Sequence, residues 1–257
     1  MLFDTHAHYD DRQFDIDRDE LLSSMNKNGV GYIVNASCSV NSLKTAIALA
    51  EKYDFLYATA GIHPNSIDDM TASSFEEIKA LAAHPKVKAI GEIGLDYYWK
   101  KVEKDVQKDG FARQISIAKE LSLPFVIHCR DACGDLLDIL RSEYKGGGAL
   151  MHCFSESVET ARILLNMGLT IAIGGTVTFK NNVRTVEAVK FIPLENLVIE
   201  TDSPYLSPVP HRGERNSSLN IHYVAEKIAE IKGVSPELVE EVTTQNAKRF
   251  FGIPKLF

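Results

Sequence analysis

Eight short β-branched or apolar runs recur along the chain, at residues 2–3, 32–35, 55–60, 87–90, 124–127, 149–151, 169–173 and 197–199. Each is too short for a helix and too continuously apolar for a strand with one wet face, which predicts parallel strands buried on both sides. Between them, apolar residues fall at helical spacing. Phe111, Ile115, Ala118 and Leu121 make one such face, Leu136, Leu137 and Leu140 a second, and Val158, Ala161 and Leu165 a third. Strand and helix therefore alternate. The seven intervals between the first and last runs cover 195 residues, about 28 per unit, close to the roughly 31 of a 250-residue eight-unit barrel. A doubly wound open sheet also alternates in this way, so periodicity alone leaves both architectures standing.

Beyond the eighth run, a Pro-rich stretch at 203–210 reads as a long loop. Ile221, Val224, Ile228 and Ile231 predict a helix, and 236–250 a terminal one with Ser235 as its N-cap. No linker, charge block or shift of composition divides the chain, so a single domain spanning 1–257 is expected.

Composition narrows the class without naming a function. The 257 residues are 45% hydrophobic and 25% charged, which excludes collagenous, low-complexity and disordered readings. A formal charge of −7 means that no global positive field draws in a polyanion, so any nucleic acid must be held by local features. Asp4 arrives before any apolar run of the length an export signal needs, against such a signal. The uncharged stretch 163–179 holds Gly168, Gly174 and Gly175 and reads as a helix end followed by a strand, not a membrane span. Cys38, Cys129, Cys133 and Cys153 are expected to be reduced thiols in a cytoplasmic protein. Cys129 and Cys133 lack the second half that a zinc site needs.

What stops each apolar run decides between the architectures. The first ends in Asp4-Thr5-His6-Ala7-His8, the third in Gly61-Ile62-His63, the fourth in Gly91-Glu92, the fifth in His128, the sixth in His152 and the eighth in Glu200-Thr201-Asp202. In a barrel the C-terminal strand ends carry the chemistry, so polar groups at six of eight such ends favour a TIM-type (β/α)8 barrel of the α/β class, regular or distorted, with an extra C-terminal helix. An isolated histidine is more often a hydrogen-bonded structural residue, as expected of His84 and His222. Five histidines on one rim need another explanation. Period-two alternation points His6 with His8, and Glu200 with Asp202, into one mouth, and turns Cys129 and Cys153 toward the helices.

Imidazoles and carboxylates crowded into one pocket are costly unless a cation compensates them. His6, His8, His128, His152, Glu92 and Asp202 exceed the three protein ligands of a mononuclear catalytic zinc site and predict two divalent ions, with Glu92 placed to bridge. Imidazole-rich ligation suits Zn, Mn, Co or Ni better than Mg, though Mg stays open. Such a pair acidifies water and clamps the oxygens of a phosphoester. Arg212 and Arg215 in the following loop are candidate phosphate-binding residues, with solvated surface charge as the alternative. Tyr97, Tyr98 and Trp99 could stack bases or pack a helix start.

These residues sit in motifs: DTHAH (4–8), GIHP (61–64), GEIGLD (91–96), HCRD (128–131), HCFS (152–155) and ETDSPYL (200–206). The chain thereby resembles the TatD-type metal-dependent deoxyribonucleases of the amidohydrolase superfamily. The resemblance implies a TIM-type barrel with His6, His8 and Asp202 on one ion, His128 and His152 on the other, and Glu92 shared. Many amidohydrolases carry a carboxylated lysine where Glu92 stands, which disfavours a plain amidase. After Asn216 the family commonly continues with an acidic residue and proline, whereas this chain reads Ser217-Ser218-Leu219.

The expected function is a divalent-metal-dependent phosphodiesterase on DNA, trimming single strands from an end. Glu200 or Asp202 would handle the proton of the attacking water, and His63 would contact the phosphate or aid the leaving oxygen. Glu200 has a second reading, as a residue that only orients ligands. A D-aminoacyl-tRNA deacylase could use the same site, and a barrel that binds nucleic acid or protein without turnover is the non-enzymatic alternative. No membrane association and no obligate protein partner are inferred.

Overall fold

The computed structural model describes residues 1–68 and 71–254. In chain order its main elements are β1 (Leu2–Ala7), α1 (Arg18–Ser24), β2 (Val30–Ala36), α2 (Val40–Lys52), β3 (Leu56–Ala60), α3 (Ala72–Ala82), β4 (Val87–Asp96), α4 (Lys104–Leu121), β5 (Phe125–Arg130), α5 (Cys133–Glu143), β6 (Ala149–Met151), α6 (Val158–Asn166), β7 (Thr170–Ile173), α7 (Val183–Phe191), β8 (Leu197–Ile199), α8 (Ile221–Lys232) and α9 (Pro236–Phe250). The strands form one sheet in the order β1 to β8. They lie where the apolar runs predict, and their positions are mostly buried, with Arg130 at the end of β5 exposed. The chain packs as two compact units, one of residues 1–35 with 153–257, the other of 36–152.

In the first unit, β1 pairs in parallel with β2, and β7 with β8. A parallel bridge between Ala7 and Ser203 sets the segment after β8 beside β1, the pairing that an eight-unit barrel requires. Ser157 caps α6 by accepting from the Thr160 N–H. Ser235 caps α9 by accepting from Leu238, with Pro236 in the first turn where its missing N–H costs nothing.

The middle unit holds β3, β4, β5 and β6 as successive parallel neighbours. Apolar side chains of its helices, such as Phe111, Ile115, Leu136 and Leu140, are buried at the helical spacing. Helix α4 starts at Lys104, seven residues before the first apolar residue of its predicted face. Gln107 and Gln114 on it are also buried, which a purely apolar pattern misses.

β4 outlasts its apolar run and continues through Asp96, so Glu92 lies inside the strand, while β6 and β8 end where theirs do, at Met151 and Ile199. His152, Cys153, Glu200 and Asp202 thus lie beyond their strands. Cys153 and Asp202 have left-handed backbones, φ 47° and 57°, so strand alternation does not set where they point. All four cysteines are half-buried and form no disulfide. His84 and His222 are surface structural residues. The first rings against Glu51 at 3.3 Å and the second against the Leu219 carbonyl at 2.8 Å.

Candidate metal centre

In the middle unit three imidazoles converge on one carboxylate oxygen. Glu92 Oε1 lies 2.6 Å from His128 Nδ1, 3.0 Å from His152 Nε2 and 3.6 Å from His63 Nε2. Glu92 and His152 are almost fully buried. The backbone explains the convergence. Between Ile90, paired with Phe125, and Ile93, paired with Ile127, β4 advances three residues while β5 advances two. One extra residue of this kind is a bulge, and a bulge re-aims the side chain it carries.

Beyond the bulge Gly94 stands opposite His128 at φ 145°. A Cβ there would come 2.0 Å from the His128 carbonyl oxygen, so only glycine lets the two strands approach.

Asp96, two positions further, was not among the expected site residues. Its Oδ2 lies 3.3 Å from His128 Nε2 and accepts from the Asn65 amide at 3.0 Å. Burial pushes this carboxyl up, but the contacts with His128 and Asn65 outweigh burial and hold it down to about 2. Burial likewise opposes charge on His128, while Glu92 and Asp96 together raise it above its ordinary value. The signal that could have found Asp96 is parity, because on one strand it shares a face with Glu92.

His63 Nδ1 accepts from the Asn65 backbone N–H at 3.1 Å. A neutral ring must then carry its proton on Nε2, the atom that faces Glu92.

The first unit carries a second group. Asp202 Oδ1 lies 3.3 Å from His8 Nε2 and 3.9 Å from His6 Nε2. Here Asp202 donates its backbone N–H to the His6 carbonyl at 2.9 Å, so the turn after β8 is tied to the strand that supplies the histidines. Beneath them lies Asp4, fully buried, which accepts from the backbone N–H groups of His6 and Thr201 and from the hydroxyls of Thr201 and Ser218. Burial raises its pKa to about 7, with those bonds opposing. Glu200 is also fully buried, and its Oε1 accepts the Cys153 N–H at 2.7 Å.

The two arginines fare differently. Arg215 is engaged by its own chain. Its guanidinium bonds both Asp17 carboxylate oxygens and the Gln13 carbonyl, and lies 4.9 Å from the Phe14 ring. Arg212 is exposed, with its guanidinium 4.0 Å from the Phe179 ring.

His63, Glu92 and His128 each offer a ligand atom within 4.8 Å of the other two. The donors are imidazole nitrogens and carboxylate oxygens, the set that borderline divalent ions such as zinc or manganese take. The residues therefore fit a metal. A family model described as TatD related DNase matches residues 3–252. The chain belongs to that family. It is 46% identical to the uncharacterized metal-dependent hydrolase YabD of Bacillus subtilis, over 98% of this chain and all of that one. The 3'-5' ssDNA/RNA exonuclease TatD of Cronobacter sakazakii is 33% identical, with 97% of each chain covered. The crystal structure of YJJV, a TatD homologue from Escherichia coli K12, superposes with a TM-score of 0.92 at 28% identity and covers 98% of both chains.

The TIM-type barrel is thus the fold class of this TatD-family chain, and metal-dependent hydrolysis its enzyme class. No helix among the described residues is long and apolar enough to cross a membrane.

Proposed function

We propose that this TatD-family hydrolase is a phosphodiesterase that cleaves DNA, removing nucleotides from an end of single strands. The observation that carries the reading is the convergence of three imidazoles on Glu92, in a chain whose relatives are called metal-dependent hydrolases and include a single-strand exonuclease. In this reading residues 1–257 act as one domain in the cytoplasm. Two divalent ions would be held, with His6, His8 and Asp202 offering ligands to one, His128 and His152 to the other, and Glu92 to both. Such ions supply Lewis acidity, which acidifies water and offsets the charge of a phosphate.

The chain's own groups do the rest. Glu200 takes the proton of the attacking water, with Asp202 as the other carboxylate within reach of that role, while the Cys153 N–H holds one Glu200 oxygen in place. His63, protonated at Nε2, donates to the phosphate or to the leaving oxygen. Arg212 offers its exposed guanidinium to a phosphate, whereas Arg215 can do so only by leaving Asp17.

End-labelled single-stranded oligonucleotides given to manganese- or zinc-loaded protein should shorten stepwise from one end. Glu200→Gln should lower turnover by a factor on the order of 10² to 10⁴ with metal content unchanged. A metal-loaded protein that leaves every oligonucleotide intact would overturn the reading, and full turnover by the loaded variant would remove Glu200 from it.

A further inference from the structure

Two and three residues past the strand that carries Glu92, two large aromatic side chains stand in solvent. Tyr98 is 50% exposed and Trp99 54%, among the most exposed large apolar side chains of the described residues. Packing of a helix start does not account for them, since α4 begins only at Lys104. Their rings meet edge to face, with centroids 5.1 Å apart and planes at 88°, so two perpendicular π faces border one corner. Cations crowd that corner. The Arg130 guanidinium lies 3.7 Å from the Tyr98 centroid and 5.5 Å from that of Trp99, and the Lys101 ammonium lies 5.8 Å from Trp99.

The corner is wired to the candidate metal centre. The backbone N–H groups of Tyr98 and Trp99 both donate to Asp96 Oδ1, at 3.0 and 3.3 Å. The other oxygen of Asp96 lies 3.3 Å from His128 Nε2, whose Nδ1 is 2.6 Å from Glu92. One buried carboxylate therefore fixes both the imidazole and the turn that presents the rings. Exposed rings beside cations, in a chain of net charge −7, match what single strands require. Aromatic faces stack any base, while guanidinium and ammonium groups meet the phosphates. A paired base keeps its faces covered by its neighbours in the duplex and cannot use such a corner.

We infer that Tyr98, Trp99 and Arg130 form a stacking platform for an unpaired nucleobase of single-stranded DNA, with Arg130 and Lys101 holding the adjoining phosphates. The platform makes the hydrolase selective for unpaired ends and tolerant of sequence. This inference rests on the phosphodiesterase reading for its biological use, and its test is separable from that reading.

Trp99 is the only tryptophan in the chain, so its emission reports on the platform directly. Manganese-loaded full-length protein is titrated with a phosphorothioate thymidine oligonucleotide, which resists hydrolysis. Saturable quenching is expected. It should be absent with an abasic strand of equal length and with a blunt duplex. In parallel, Trp99→Ala should weaken binding of the labelled oligonucleotide, read by anisotropy, about 5- to 100-fold, and Trp99→Phe should restore most of it. Equal quenching by the abasic strand or the duplex, or a change below about twofold in Trp99→Ala, overturns the platform. Hydrolysis of bis(p-nitrophenyl) phosphate by the wild-type protein is followed separately. It contains no base, so its absence counts against the phosphodiesterase reading while leaving the quenching result to stand or fall alone.

Discussion

The Asp96 carboxylate ties the turn after β4 to the His128 imidazole, and a carboxylate that orients a ligating histidine fixes which nitrogen faces the ion. In Asp96→Asn the side chain keeps its shape and loses its charge, so the ring is held less firmly and its ligating nitrogen becomes less basic. Metal affinity should drop about 10- to 100-fold, measured by competition with a chromophoric chelator. Unfolding by circular dichroism should show the fold intact. Unchanged affinity would mean that Asp96 serves only the turn. His63 illustrates the same logic with the opposite partner. Its Nδ1 accepts a backbone N–H, which leaves a donor, not a lone pair, facing Glu92 in the neutral ring. In the proposed reading Nε2 therefore donates to substrate, and His63 would have to give up that proton before it could ligate an ion.

At the scale of the element, β4 does more than its apolar run suggests. The bulge between Ile90 and Ile93 and the close approach at Gly94 together set Glu92 against β5. Gly94→Ala places a methyl group against the His128 carbonyl and imposes a side chain on a φ of 145°. The strands must part, and the stability loss should reach about 3 kcal/mol or more. Guanidinium unfolding checks this, and a loss below about 1 kcal/mol would show that the pairing yields easily. Neither bulge nor close approach has a signature in hydrophobic alternation, which explains the pattern of success in reading the sequence. The apolar runs located the eight strands of the described residues because parallel strands are buried on both faces. The cap at Ser235 located α9 because a serine acceptor, a proline in the first turn and helical spacing after them coincide there. His128 and Glu92 were legible as polar residues closing apolar runs. The reach of β4 to Asp96 was hidden because glycines at 91 and 94 imitate a loop. The directions of Asp202 and Cys153 were hidden because left-handed backbones present them, and that of Glu200 because it lies beyond the end of β8.

For the molecule as a whole, protonation links the buried polar groups to metal binding with opposite signs. In metal-stripped protein Asp4 titrates near 7 against an ordinary 3.8, and His128 titrates above its ordinary value. Each group binds its proton more tightly folded than unfolded. The stability each contributes is therefore complete below its unfolded pKa and is lost as pH rises through its folded one. Asp96, held down to about 2, works the other way. Its contribution is complete above 3.8 and is lost only as pH falls toward 2, outside the range that matters here. Between about pH 5 and 8 the stripped protein should therefore become less stable as pH rises. Asp4→Asn should flatten part of that slope, since the amide cannot ionise and the Thr201 and Ser218 hydroxyls can turn to accept from it. Metal binding has the reverse requirement, because imidazoles must lose their protons to ligate, so occupancy and the stability it confers grow with pH. The gap in Tm between loaded and stripped protein should widen from pH 5.5 to pH 8, and activity should fall away below about pH 6 as protons displace the ions. Parallel thermal melts across that range test both slopes. A gap that stays constant would mean that the ions bind without releasing protons, which imidazole ligands do not permit.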